Sequence, residues 1–144
     1  MRIMTARNER GFTLIELMIV VCIISILAML AIPRFMQAST KTKQSEAKTI
    51  LKQIYVNQRT FRQQSMDNTY FVTAEVASKD NPDAFRDIWI QVMATCRYSF
   101  EIAATPNTFV ATARGNIDDD PLEDVWTITD AGILDNPTND VEES

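Results

Sequence analysis

The sequence predicts an α+β protein with a long amino-terminal α-helix. The first half of the helix is membrane-inserted and the distal half is packed on a small antiparallel β-sheet head of three or four strands. Three observations predict this. From Phe12 to Ile32 only Thr13, Glu16 and Ser25 interrupt an apolar run. From Ala47 to Phe61 apolar residues recur at helical spacing. Beyond Arg97 short alternating runs are separated by turn residues.

A helix over Phe12–Ile32 is about 32 Å long at ~1.5 Å per residue, which matches a hydrocarbon core of about 30 Å. In a soluble protein such a helix needs cover on all sides, and a chain of 144 residues has little to cover it with. The flank MRIMTARNERG sets Arg2, Arg7 and Arg10 against Glu9, so it stays in the cytoplasm and the chain after Pro33 lies outside. An ordinary secretory signal has a shorter apolar region ending at small residues, whereas this run is long and carries a carboxylate. That carboxylate, Glu16, costs ~2.5–3.5 kcal/mol at mid-bilayer and less towards the interface. It either snorkels to the headgroups or requires a cationic partner once the helix leaves lipid.

Gly11-Phe12-Thr13-Leu14-Ile15-Glu16, behind a basic leader and ahead of a long apolar helix, resembles the type IV prepilin signature. Type IV pilins and type II secretion pseudopilins share that signature. The resemblance implies that a membrane prepilin peptidase cuts between Gly11 and Phe12 and methylates the new amino group of Phe12. It implies that Glu16 pairs with the Phe12 amino group of a neighbouring subunit. Two charges costly alone in a dry filament core are tolerable as a pair, and pairing sets the stagger between subunits. Pro33 matches the family's proline and would kink the helix or mark where it melts. Ser25 departs from the pattern, standing where many members have a helix-loosening glycine.

The chain then divides into a cleaved leader (1–11), a transmembrane and assembly half-helix (12–33), an amphipathic half-helix (34–63), a β head (64–136) and an acidic tail (137–144). Charge follows that division. The whole chain carries a formal net charge of −5, but Arg34–Arg62 holds seven cations against Glu46, and Gln63–Ser144 holds four cations against 16 acids. A basic stem beside an acidic head suits contacts between the stem of one subunit and the head of another. DNA contact is the weaker reading of the basic stem, because no aromatic platform accompanies the charges. Cys22 falls in the membrane run and Cys96 in the head, too far apart along the chain's predicted axis for a disulfide. Cys96 is therefore expected to be a buried free thiol.

In the stem, Ala47, Ile50, Leu51, Ile54, Gln58 and Phe61 form one face, apolar except for Gln58, and a continuous helix from Phe12 to about Gln63 would run ~78 Å. Ser65–Tyr70 ends it. Tyr70–Met93 is a connecting region with a turn at Asn81-Pro82 and a short helix carrying Phe85, Ile88, Trp89 and Val92. Strands follow at Arg97–Ile102, with Tyr98, Phe100 and Ile102 facing the stem, at Thr108–Arg114 after the Pro106-Asn107 turn, and at Val125–Thr129. Asp130-Ala131-Gly132 turns the third strand, and DNPTNDVEES reads as a loose acidic tail.

The loop ARGNIDDDPLEDVW places Asn116, Asp118, Asp120 and Asp124 at relative positions 1, 3, 5 and 9, a spacing at which oxygen ligands enclose calcium. Pro121 stands where an EF-hand loop requires glycine, and Thr127 replaces its bidentate glutamate. The alternative is a solvated hairpin loop whose aspartates cap turns. Catalysis finds no support: there is no histidine, no glycine-rich phosphate loop, and no visible base for Cys96.

The resemblance implies a structural, non-enzymatic role, that of a subunit of a type IV pilus serving motility, adhesion or a related task. It would be a single-pass inner-membrane protein with its head in the periplasm, then part of a surface filament of a Gram-negative bacterium. Its implied partners are other copies through the amino-terminal helices, the prepilin peptidase, an inner-membrane assembly platform, minor pilins, and membrane lipid before assembly. The alternatives are a type II secretion pseudopilin in a periplasmic pseudopilus and, from a different class, a membrane-anchored binding module that never polymerises.

Overall fold

The structure, a computed structural model, describes residues 11–118 and 121–139. Helix α1 runs Leu14–Gln64, 51 residues, close to the expected bounds. The chain divides into two compact units between Met36 and Gln37, a few residues beyond the expected boundary at Pro33.

The first unit is the apolar half of α1. Its large side chains, from Phe12 through Met36, are exposed. The one hydroxyl well inside the run is satisfied by its own helix, since Ser25 Oγ donates to the Val21 carbonyl at 2.7 Å. Pro33 lies inside α1, where it has no N–H to donate.

The second unit contains the rest of α1, a 3₁₀ turn at Arg86–Ile88, and strands β1 (Ser99–Ala104), β2 (Phe109–Gly115), β3 (Asp124–Thr129) and β4 (Leu134–Thr138). The strands form an antiparallel meander in the order β1-β2-β3-β4. Alternation decides the inner face: Tyr98, Phe100 and Ile102 are buried, as the sequence predicts, and Phe109, Ala111, Ala113 and Ile128 join them. Against this face α1 presents Thr40, Gln44, Ala47, Leu51, Ile54 and Gln58, all buried, at alternating steps of four and three. Ile50 and Phe61 are half-buried at its margins. Each large apolar side chain removed from water stabilises the unit by roughly 1.5–3 kcal/mol.

Three sequence expectations are corrected. The connecting segment forms only the 3₁₀ turn, because Trp89 adopts a left-handed conformation (φ 55°) and its N–H closes onto the Arg86 carbonyl. Phe85, Ile88 and Val92 are buried, whereas Trp89 is 60% exposed. The head boundary at residue 136 falls inside β4, so Asp135–Thr138 belongs to the sheet and not to a loose tail. An edge strand pairs on one side only, so its sequence need not alternate. Pro137 is tolerated there beside a register shift in β3–β4 pairing. Residues 140–144 lie outside the described residues.

Gly132 turns β3 into β4 at φ +79°, where a Cβ would meet the Tyr55 ring at 3.1 Å. The other sheet edge is partly covered, since Ala77 and Phe100 exchange backbone hydrogen bonds of 2.9 and 2.8 Å.

The polar member of the helix stripe has a structural reason. Gln58, fully buried, donates from Nε2 to the Phe71 carbonyl at 3.0 Å and accepts from the Phe71 N–H at 2.9 Å. One amide thus replaces a strand partner for the connecting segment. Gln58→Leu strands both Phe71 groups and is expected to destabilise the second unit by about 2–4 kcal/mol. Urea unfolding of the full chain in detergent micelles measures this, and a midpoint equal to wild type would remove Gln58 from the account.

Candidate processing and assembly site

The residues of the signature sit where α1 begins. Gly11, Phe12 and Thr13 precede the helix and are exposed, Phe12 at 75%. Among the described residues, nothing lies within 4 Å of the position a Cβ at Gly11 would take. Thr13 is the cap: Glu16 N–H donates to Thr13 Oγ1 at 3.3 Å. In return Glu16 Oε2 accepts from the Thr13 N–H at 2.9 Å and from Thr13 Oγ1 at 2.6 Å. This is a capping box, two residues of a Thr-x-x-Glu spacing satisfying each other's donors. Sequence reasoning singled out Glu16 but missed Thr13 as its partner, although the spacing was there to be read. In a single chain the carboxylate therefore has donors of its own, which lowers the cost of carrying it into the interface. The leader residues 1–10 lie outside the described residues.

The proposed calcium ligands do not assemble from the described residues. Asp120 lies outside them. Asn116 is exposed and Asp118 half-buried on the loop, whereas Asp124 is fully buried in the core. Asp124 Oδ2 accepts from Tyr98 Oη at 2.6 Å and from Trp126 Nε1 at 2.6 Å, and Oδ1 accepts from Gln44 Nε2 at 3.0 Å. A cation is already supplied to the loop, as Lys43 Nζ donates to the Ile117 carbonyl at 2.5 Å. Among the described residues no three carboxylates or thiols converge as a metal group. The described donors alone thus make no calcium cage, and Asp124 instead joins α1, the approach to β1, and β3.

Lys48 Nζ stands 4.2 Å from the Trp126 ring centroid, a further stem-to-sheet contact. Gly115 ends β2 against the Arg97 carbonyl, which a Cβ there would meet at 2.7 Å.

Both cysteines are free; Cys96 is buried, as expected from the sequence. Burial pushes its thiol up to about 11, and the nearby Glu46 adds to the rise. A thiol so raised stays protonated at neutral pH and is a poor nucleophile. In a Cys22→Ser background, Cys96 is expected to react with a maleimide far more slowly than a free thiol at pH 8, with the rate climbing as the pH approaches 11. Rapid labelling at pH 8 in the folded chain would contradict this. The sign for stability follows: the unfolded thiol loses its proton first, so stability is full below pH 9.0 and declines as the pH rises from there towards 11.

A bare apolar half-helix opening on a capped carboxylate, and an amphipathic helix packed on a four-stranded meander, make an α+β architecture consistent with the one the prepilin resemblance implies. The similarity to known proteins lies in part of the chain. The family profile described as the prokaryotic N-terminal methylation motif matches residues 6–32. The type IV major pilin protein PilA of Myxococcus xanthus is 64% identical over 54 residues, 38% of this chain and 24% of that one. Two fimbrial proteins of Pseudomonas aeruginosa are each 54% identical over 41 residues, 28% of this chain and 27% of theirs. The matches thus span about a quarter of the length of these curated relatives. No solved structure matches the chain.

Proposed function

We propose that this protein is the structural subunit of a type IV pilus, made as a prepilin and polymerised into a surface filament. The peptidase would cut between Gly11 and Phe12 and methylate the Phe12 amino group. The 12–33 half-helix would hold the subunit in the inner membrane of a Gram-negative bacterium, with the head in the periplasm, and then become filament core. The observation that carries this reading is the exposed apolar half of α1 opening on Glu16. A surface this apolar is stable only in lipid or against other copies of itself. In lipid Thr13 serves the Glu16 carboxylate. On assembly the Phe12 amino group of a neighbour would replace or join it, an ion pair formed only at the correct stagger. Pro33 would be the place where the helix yields as the subunit leaves the membrane.

Similarity to a major pilin and to fimbrial proteins supports a pilin reading, with the type II secretion pseudopilin as the alternative. The test is intact mass and amino-terminal sequencing of protein sheared from cells. A chain beginning at N-methylated Phe12 in the sheared fraction is expected. The same processed chain confined to membranes would move the reading to a pseudopilin or minor subunit. A chain still beginning at Met1 would overturn it.

A further inference from the structure

We propose that a cleft at the carboxy-terminal end of α1 binds a tetrahedral oxyanion, phosphate or sulfate, between Arg59 and Arg62. The cleft, of about 410 Å³, is lined by Tyr55, Arg59, Arg62, Asn68, Tyr70 and Asp130 among others, and lies wholly in the second unit.

Two guanidiniums one helical turn apart are held in place before any ligand arrives. Arg59 lies over Tyr55, its Cζ 5.5 Å from the ring centroid, and donates from Nη1 to Tyr55 Oη at 2.8 Å. Arg62 lies over Tyr70 at 4.8 Å and donates from Nε to the Asn68 carbonyl at 3.0 Å. That carbonyl is delivered by a left-handed backbone at Asn68 (φ 53°). Both tyrosines rest on one core ring, Phe109, at centroid distances of 6.4 and 4.9 Å. The rotamer freedom that long side chains ordinarily lose on binding is here lost on folding, which favours affinity. Each guanidinium gives one N–H to these protein acceptors and keeps the rest of its fork for a ligand.

Cations at a helix carboxy terminus offset the helix dipole, which accounts for their presence. It does not account for their clamping on rings at the wall of a cleft. Asp130 shares that wall and repels any anion. The two guanidiniums still leave the cleft net positive, and their attraction is stronger for a doubly charged oxyanion than for a single carboxylate. The cleft exceeds the size of one such ion, so a free ion and an esterified or polymeric phosphate share the same chemistry here.

The experiment titrates the full chain in detergent micelles, in phosphate-free buffer, with sodium phosphate, sodium sulfate or polyphosphate, read by calorimetry. Saturable binding to wild type is expected, weakened at least tenfold in Arg59→Gln/Arg62→Gln and several-fold in Arg59→Lys/Arg62→Lys, which keeps the charge without the forks. Asp130→Asn is expected to tighten phosphate several-fold, a gain that misfolding does not produce. Tighter, arginine-dependent binding of polyphosphate per phosphate group would assign the site to a polymer, and equal binding to the free ion. Absence of binding to wild type, undiminished binding in the double glutamine variant with native circular dichroism, or no gain in Asp130→Asn would overturn the proposal.

Discussion

Glu16→Gln is expected to reach the membrane at wild-type levels and to yield at least tenfold fewer filaments. The reason lies in two roles that one carboxylate plays. Its oxygen accepts from the Thr13 N–H and hydroxyl, which caps α1. Its charge is available to an amino group from another subunit. A glutamine keeps a carbonyl acceptor for the cap and loses the charge. A cap contributes about 1 kcal/mol to one helix end, too little to govern assembly. In the proposed filament core, neutralising one partner of that charge pair would leave an uncompensated amino group costing about 3–5 kcal/mol per subunit. Repeated at every subunit, that cost blocks growth. Thr13→Val supplies the converse: it removes the hydroxyl, keeps Glu16 charged, and is expected to assemble to within about twofold of wild type. The check is a quantitative immunoblot of sheared and membrane fractions for both variants. If Glu16→Gln assembles normally while Thr13→Val fails, capping and not charge is the function of this site.

Asp124→Leu is expected to destabilise the second unit by about 3 kcal/mol or more. Side-chain donors of Tyr98, Trp126 and Gln44 converge on the carboxylate and lose that acceptor at once, while Gln44 Nε2 keeps its bond of 2.9 Å to Asn139 Oδ1. Each unsatisfied buried donor costs about 1–3 kcal/mol, and relief from burying the carboxylate recovers part of the total. For a unit of this size, 1 kcal/mol moves the melting temperature by roughly 4–8 °C, so a drop of more than about 10 °C is expected. Asp124→Asn keeps the volume but turns an amide towards donors, and is expected to cost less than the leucine. Thermal unfolding in micelles, followed by near-ultraviolet circular dichroism of the aromatic side chains, measures both. A melting temperature unchanged in Asp124→Leu would mean that the three donors find other acceptors. Adding calcium to wild type is expected to leave that temperature unmoved if the carboxylate serves only these donors.

Asp124 also marks where sequence reading stops. From the chain alone it was the ninth position of an acidic loop, one of four spaced oxygens. What distinguishes it is proximity to Gln44, 80 residues away, and to Tyr98, 26 residues away. No local pattern carries that information. Gln58 is a similar case. Its place in an apolar stripe was visible, but its partner Phe71 was not, because the connecting segment has no periodicity that announces where it crosses the helix. Strand β4 was missed for a related reason: an edge strand needs neither apolar alternation nor a full set of N–H groups, so Asn136 and Pro137 pass for tail. Strands β1, β2 and β3 were legible, to within two residues, because a buried face imposes alternation on them.

The sequence by itself determined the apolar half-helix, the position of its one carboxylate, the amphipathic stem and the α+β class. All of these follow from periodicity and transfer cost, which a residue carries wherever the chain goes. Only the tertiary structure decided that Asp124 meets Gln44, Tyr98 and Trp126 in the core, that Gln58 serves Phe71, and that Arg59 and Arg62 are clamped on tyrosines. Hydrogen bonds and ring contacts act over a few ångströms. Their partners are therefore set by which distant segments the folded sheet and helix bring together, and that is a property of the whole unit.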